Sequence, residues 1–82
     1  MNGMEIVQRA KEQLQMLTGL HPDTVSKLKK EDDGWHVVIE LLELKVVPDS
    51  KDILATYATI LDAEGNIVSY ERINRYRRGE VG

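Results

Sequence analysis

The segment Trp35-His36-Val37-Val38-Ile39-Glu40-Leu41-Leu42-Glu43-Leu44-Lys45-Val46-Val47 decides the fold. It is rich in β-branched and leucine residues, holds no glycine or proline, and reads as one long strand over residues 35–47. Successive side chains of a strand leave opposite faces. Trp35, Val37, Ile39 and Leu41 therefore share one face, and Val38, Leu42, Leu44 and Val46 share the other with Glu40. Both faces are apolar, yet one helix covers only one face of a small sheet. Two answers stand open. A β-bulge near Leu41-Leu42 would flip the alternation and send both sets into one core. Alternatively a second protein chain covers the spare face, since large apolar patches mark contacts. The two are compatible. Covering a further ~400 Å² of apolar surface would contribute about 10 kcal/mol before the entropy of association is subtracted.

Upstream, Ile6, Val7, Ala10, Leu14 and Leu17 fall on one stripe at helical period, and Gln8, Arg9, Lys11, Glu12 and Gln15 lie opposite. The spacing predicts a helix over residues 3–18. Gly19 is set for a left-handed C-cap, and Pro22 keeps the helix from resuming. A short strand is predicted over residues 25–29, joined by the turn Glu31-Asp32-Asp33-Gly34 to the long strand. Pro48–Asp52 reads as a loop, residues 53–61 as a strand, Asp62–Asn66 as a turn and residues 67–77 as the last strand. No linker or internal repeat divides residues 1–82, which read as a single domain. One helix followed by closely spaced strands predicts an α+β fold. Its one N-terminal helix packs on an antiparallel meander sheet of three to four strands, in the manner of small cystatin-like or PepSY-like domains.

With 82 residues, 41% of them apolar, the chain has room for one thin core and none for a cleft between domains. No apolar run approaches the roughly 18–20 residues that span a bilayer. Met1–Glu5 has no basic n-region and opens no long apolar run, so no secretion signal is expected. There is no cysteine, which removes disulfides and thiol chemistry and fits a cytoplasmic protein. A formal charge of −3 disfavours a life on nucleic acid or anionic membrane.

The residues that carry chemistry are sparse. His21 and His36 lack metal-ligand spacing, and Glu31-Asp32-Asp33 lacks the spaced oxygens of a calcium loop. Glu40 and Glu43 fall on opposite strand faces, and no serine sits in a nucleophile elbow. The expectation is no catalytic residue, no cofactor and no metal. The last strand differs. Arg72, Arg75, Arg77 and Arg78 are interleaved with Tyr70, Asn74 and Tyr76. Alternation sends Arg75 and Arg77 one way and Tyr70, Arg72, Tyr76 and Arg78 the other. Three readings follow: a solvated strand whose arginines pair with Glu40, Glu43 or Glu71, a docking surface for an acidic protein, or a nucleic-acid site. The acidic total disfavours the third. A peptide- or ligand-binding module remains an alternative, with a pocket at Trp35 and Tyr57 or an added strand at a free edge.

Three ordered blocks carry a family resemblance. They are Asp32-Asp33-Gly34-Trp35 through Leu44, Val47-Pro48-Asp49-Ser50-Lys51-Asp52-Ile53-Leu54-Ala55-Thr56-Tyr57, and Leu61-Asp62-Ala63-Glu64-Gly65-Asn66 through Arg72 with Arg75-Tyr76-Arg77-Arg78-Gly79. Together with Ala10–Leu14 and Leu17-Thr18-Gly19, the chain over roughly residues 5–79 resembles the gas vesicle protein O family. The resemblance implies a non-enzymatic accessory protein needed to form gas vesicles, the gas-filled, protein-walled cytoplasmic compartments that give buoyancy. It implies no catalytic or cofactor residues, and partners among other gas vesicle proteins. The wall subunit is very hydrophobic, so a helper that shields apolar surface before assembly fits. Many members carry a longer, charged N-terminal extension, whereas this sequence starts almost at the helix. The partner-binding candidates are therefore Trp35, the opposite sheet face with Val38, Leu42, Leu44 and Val46, and the strand with Tyr70, Arg72, Arg75, Tyr76, Arg77 and Arg78. A homodimer is a further arrangement such a surface allows.

Overall fold

The computed structural model describes residues 2–44 and 52–77. Helix α1 spans Gly3–Thr18, and the strands are β1 (His21–Glu31), β2 (Gly34–Leu44), β3 (Ile53–Leu61) and β4 (Ile67–Arg77). They form one antiparallel sheet in the order β1-β2-β3-β4, a plain meander with α1 packed against one face. The α+β architecture is thus the one the sequence predicts. Residues 45–47 of the predicted long strand, the loop through residue 51 and the tail from Arg78 lie outside the described residues.

Helix α1 begins where Asn2 accepts a hydrogen bond from the Glu5 amide at 2.9 Å while the Glu5 carboxylate accepts from the Asn2 amide. This reciprocal box satisfies two of the amides that a helix N-terminus otherwise leaves unpaired. At the other end Gly19 adopts φ 76° and donates to the Gln15 carbonyl. Ile6, Ala10 and Leu14, four residues apart, are fully buried against Val37, Ile39, Leu41 and Leu61. Each large aliphatic side chain buried there contributes about 1.5–3 kcal/mol. Thr59 is the polar member of this face. It is buried, and its hydroxyl donates to the Val37 carbonyl across the strand pair at 2.8 Å. Leu17, placed on the buried stripe by its spacing, is instead 53% exposed.

Two further elements differ from the sequence reading. Strand β1 is eleven residues long, not five, and it takes in His21-Pro22-Asp23, which lies ahead of the strand expected over residues 25–29. It is an edge strand, where a proline is tolerated, and its exposure is high almost throughout, so few apolar residues mark it. The hairpin after it turns through Asp32-Asp33. Gly34 opens β2 and carries the positive φ itself.

Helix and sheet are tied at the β3–β4 turn chiefly by Gln13. Gln13 donates to the Gly65 carbonyl at 2.7 Å and accepts from the Ile67 amide at 2.9 Å. Arg9 adds a bond to the Asn66 side chain at 3.1 Å. The turn is also braced from within, because the Asp62 carboxylate accepts the amides of Asn66 and Glu64. Those bonds, Asn66's foremost, hold its pKa below the ordinary aspartate value. Replacing Gln13 by alanine takes the acceptor from the part-buried Ile67 amide and leaves the Gly65 carbonyl only the longer bond from Arg9 Nε at 3.4 Å. The expected loss is about 1–3 kcal/mol, read as a lower urea midpoint at unchanged slope.

Candidate functional site

The question posed by the long strand has a concrete answer in the register. Val37, Ile39 and Leu41 are fully buried on the helix side. Val38, Glu40 and Leu42 stand on the outer side, opposite Ala58, Thr56 and Leu54 of β3. There Leu54 and Thr56 are buried, and Val38, Leu42, Ala58 and Ile60 are half-buried. A bulge does occur in β2, but at Glu43, where the pairing steps from Leu42 to Leu44 against adjacent β3 residues. It does not gather the two apolar sets into one core. On this outer face one Glu40 oxygen meets the Thr56 hydroxyl at 3.4 Å, and the other is buried with no hydrogen-bond partner among the described residues.

Strand β4 is bulged twice, with Val68 and Ile73 as the extra residues. The second bulge corrects the alternation drawn from the sequence. Tyr70 faces Thr59, Arg72 faces Tyr57 and Arg75 faces Ala55, so all three stand on the helix side. Arg77 is the last residue of β4 and pairs with Ile53, whereas Tyr76 faces Leu54 on the outer side and is half-buried. Counting by twos had separated Arg72 from Arg75. The bulge brings them to one carboxylate. Glu43 accepts from Arg75 Nε at 2.9 Å and from Arg72 Nη1 at 3.4 Å. It reaches β4 from β2 by passing over β3, where Ala55 offers little bulk. The Glu43 side chain is 18% exposed and both arginine side chains are about half exposed. Beside them the rings of Tyr57 and Tyr70 lie 6.4 Å apart.

The candidate residues therefore divide among three places. Val38, Leu42 and Tyr76 belong to the outer face, and Tyr70, Arg72 and Arg75 to the helix side of β4. Trp35 packs at the rim of the helix-side core under the Lys30 ammonium, 5.7 Å from its ring. Val46 and Arg78 lie outside the described residues, and Leu44 is the last residue of β2. Trp35 lines a shallow cavity of about 220 Å³ with Lys30, Glu31, Asp32, Gly34 and Ala63, and Tyr57 is not part of it. Bulges on both edge strands, at Asp23 and Ser26 of β1 and at Val68 and Ile73 of β4, break the flat ladder that an added strand needs. Sequence reasoning missed the Met16-Leu17-Ile67 cavity of about 250 Å³, also lined by Gln13. Two adjacent apolar residues at the end of a helix were the signal for it.

The histidines hold local partners. His36 Nε2 lies 2.8 Å from Asp33, a bond that lowers the aspartate's pKa, and His21 Nδ1 lies 3.2 Å from Gln15. Among the described residues no group of three or more histidine, aspartate or glutamate side chains is placed to hold a metal ion. No described helix is long and apolar enough to cross a membrane.

Fold and site together define an α+β domain whose described residues form one helix on an open antiparallel sheet, with a cationic, tyrosine-bearing edge strand. The model of one protein family, described as "Gas vesicle synthesis protein GvpO", matches residues 1–82, and the chain belongs to that family. It is 42% identical over 76 residues to gas vesicle protein O of Streptomyces sp. (strain CB03234), covering 93% of this chain and 59% of that protein. Gas vesicle protein O1 of Halobacterium salinarum is 38% identical over 73 residues, which are 89% of this chain and 61% of that one. Gas vesicle protein O of Haloferax mediterranei is 39% identical over 74 residues, again 89% of this chain, and 53% of its own length. The chain thus spans between half and two thirds of these relatives. No solved structure matches it.

Proposed function

We propose that this domain is a non-enzymatic accessory factor for gas vesicle formation that works by contact with other gas vesicle proteins in the cytoplasm, during vesicle assembly. Membership of the gas vesicle synthesis family supports the process. The observation that carries the contact reading is the helix side of β4. There Tyr70, Arg72 and Arg75 form an exposed row beyond the strands on which α1 chiefly packs. Arginine and tyrosine are enriched where proteins meet. The same row holds no general acid, base and nucleophile in mutual reach, so binding is the chemistry it supports.

Deletion of the gene from a vesicle-forming host tests the process. The expected result is a loss of vesicles by electron microscopy, restored when the intact gene is returned. Vesicles in normal number after deletion would contradict the role.

A further inference from the structure

We propose that the helix-facing side of β4 is a docking ledge for a partner-protein segment with apolar side chains at one end and carboxylates at the other, and that Glu43 occupies its arginines as an internal stand-in for those carboxylates. The proposal deepens the contact reading above and rests on it.

Four positions order the ledge along β4: Ile67, Tyr70, Arg72 and Arg75. At the Ile67 end, Met16 (85% exposed) and Leu17 (53%) of α1 wall an apolar cavity of about 250 Å³. In the middle, Tyr70 is 42% exposed beside Tyr57. At the far end two guanidinium groups share one carboxylate. That leaves one positive charge uncompensated within the cluster. A guanidinium has about five N–H donors in a planar fork. Arg75 reaches Glu43 through Nε and Arg72 through Nη1, so most of each fork is left for an incoming oxygen. The ends of the ledge thus ask for opposite things, an apolar group and an anion, at a separation of about 20 Å, the six β3 steps from Leu61 to Ala55 that face Ile67 and Arg75.

Charge complementarity selects a carboxylate-bearing protein segment over a nucleic acid. A phosphate backbone has no use for the apolar end, and the chain's net charge of −3 repels a polyanion at long range. Glu43 supplies the sharper consequence. A carboxylate already on the arginines competes with the one arriving, so removing it should strengthen binding rather than weaken it.

The test is an amide-shift NMR titration of the full chain with three synthetic peptides of about eight residues, the length that spans the ledge. Each has a leucine-rich first half. The second half is glutamate in one, glutamine in another and lysine in the third. The glutamate peptide should shift amides of residues 67–75 and bind at least about tenfold more tightly than the glutamine peptide. Arg72→Glu with Arg75→Glu should remove that preference, and Glu43→Gln should raise affinity about threefold or more. Circular dichroism confirms folding. If the glutamate pair fails to fold, Arg72→Gln with Arg75→Gln replaces it, with the same expectation. Equal binding of the glutamate and glutamine peptides, or weaker binding by Glu43→Gln, would overturn the proposal. So would tighter binding of an oligothymidylate of about 20 nucleotides, or a dimer that dissociates when the arginines are changed. Vesicle loss on deletion without peptide binding defeats the ledge alone. Peptide binding with vesicles intact after deletion defeats the vesicle role alone.

Discussion

Gly34→Ala is expected to destabilise the domain by about 3–4 kcal/mol, a large share of the stability of a chain this short. Gly34 sits at φ 132°, which L side chains rarely adopt, and a Cβ built on it falls 2.2 Å from the Leu61 carbonyl oxygen and 3.2 Å from its carbon. Backbone, not a pliable side chain, occupies the space. The next residue, Trp35, pairs with Leu61, so the strands cannot part there without breaking the β2–β3 ladder. Gly19→Ala separates the two causes. Gly19 also has positive φ, at 76°, but nothing lies within 4 Å of its built Cβ. Only conformational strain applies there, and about 1 kcal/mol is expected. Urea denaturation of both variants checks the pair. Similar losses would show that the collision with Leu61 relaxes at little cost.

Ile39→Ala carries the second large effect, about 3 kcal/mol, because it opens a cavity in a thin core. Ile39 is fully buried in the cluster formed by Ile6, Ala10 and Leu14 of the helix with Val37, Leu41 and Leu61 of the sheet. Its neighbour Val38 is half-buried on the other face, opposite Ala58, and Val38→Ala should lose about 1 kcal/mol or less. The ratio between adjacent residues measures how far the second apolar face is core. Equal losses would make the outer face as structural as the inner one.

Much of this architecture is written in local signals. The four-residue spacing of Ile6, Ala10 and Leu14 and the glycine at position 19 mark α1 to the residue. The Asp62–Asn66 turn and the brevity of the connections make a meander the simple solution. The capping box is legible too, since Asn2 followed three residues later by Glu5 is its signature. Strand β1 was not legible over its full length. Only Pro22 and Val25 are half-buried in it, so an exposed edge strand looks like a loop broken by proline. Bulges were the deeper obstacle. Nothing in Glu71-Arg72-Ile73-Asn74-Arg75 announces that Ile73 steps out of the pairing, and that one step reassigns every later side chain to the other face. The Arg72–Glu43–Arg75 cluster depends on two such steps, at Ile73 and at Glu43 itself. The Gln13 tie is invisible for another reason. It joins groups more than fifty residues apart through a side chain that, in the sequence, is one more polar residue on a helix.

The most direct trial of a domain that acts through its β4 surface is a vesicle count in a deletion host supplied with the full chain carrying Arg72→Glu and Arg75→Glu. With the variant present at normal level and folded by circular dichroism, the account predicts few or no vesicles, against full recovery with the unaltered chain. Vesicles in normal number from the folded double variant would contradict it.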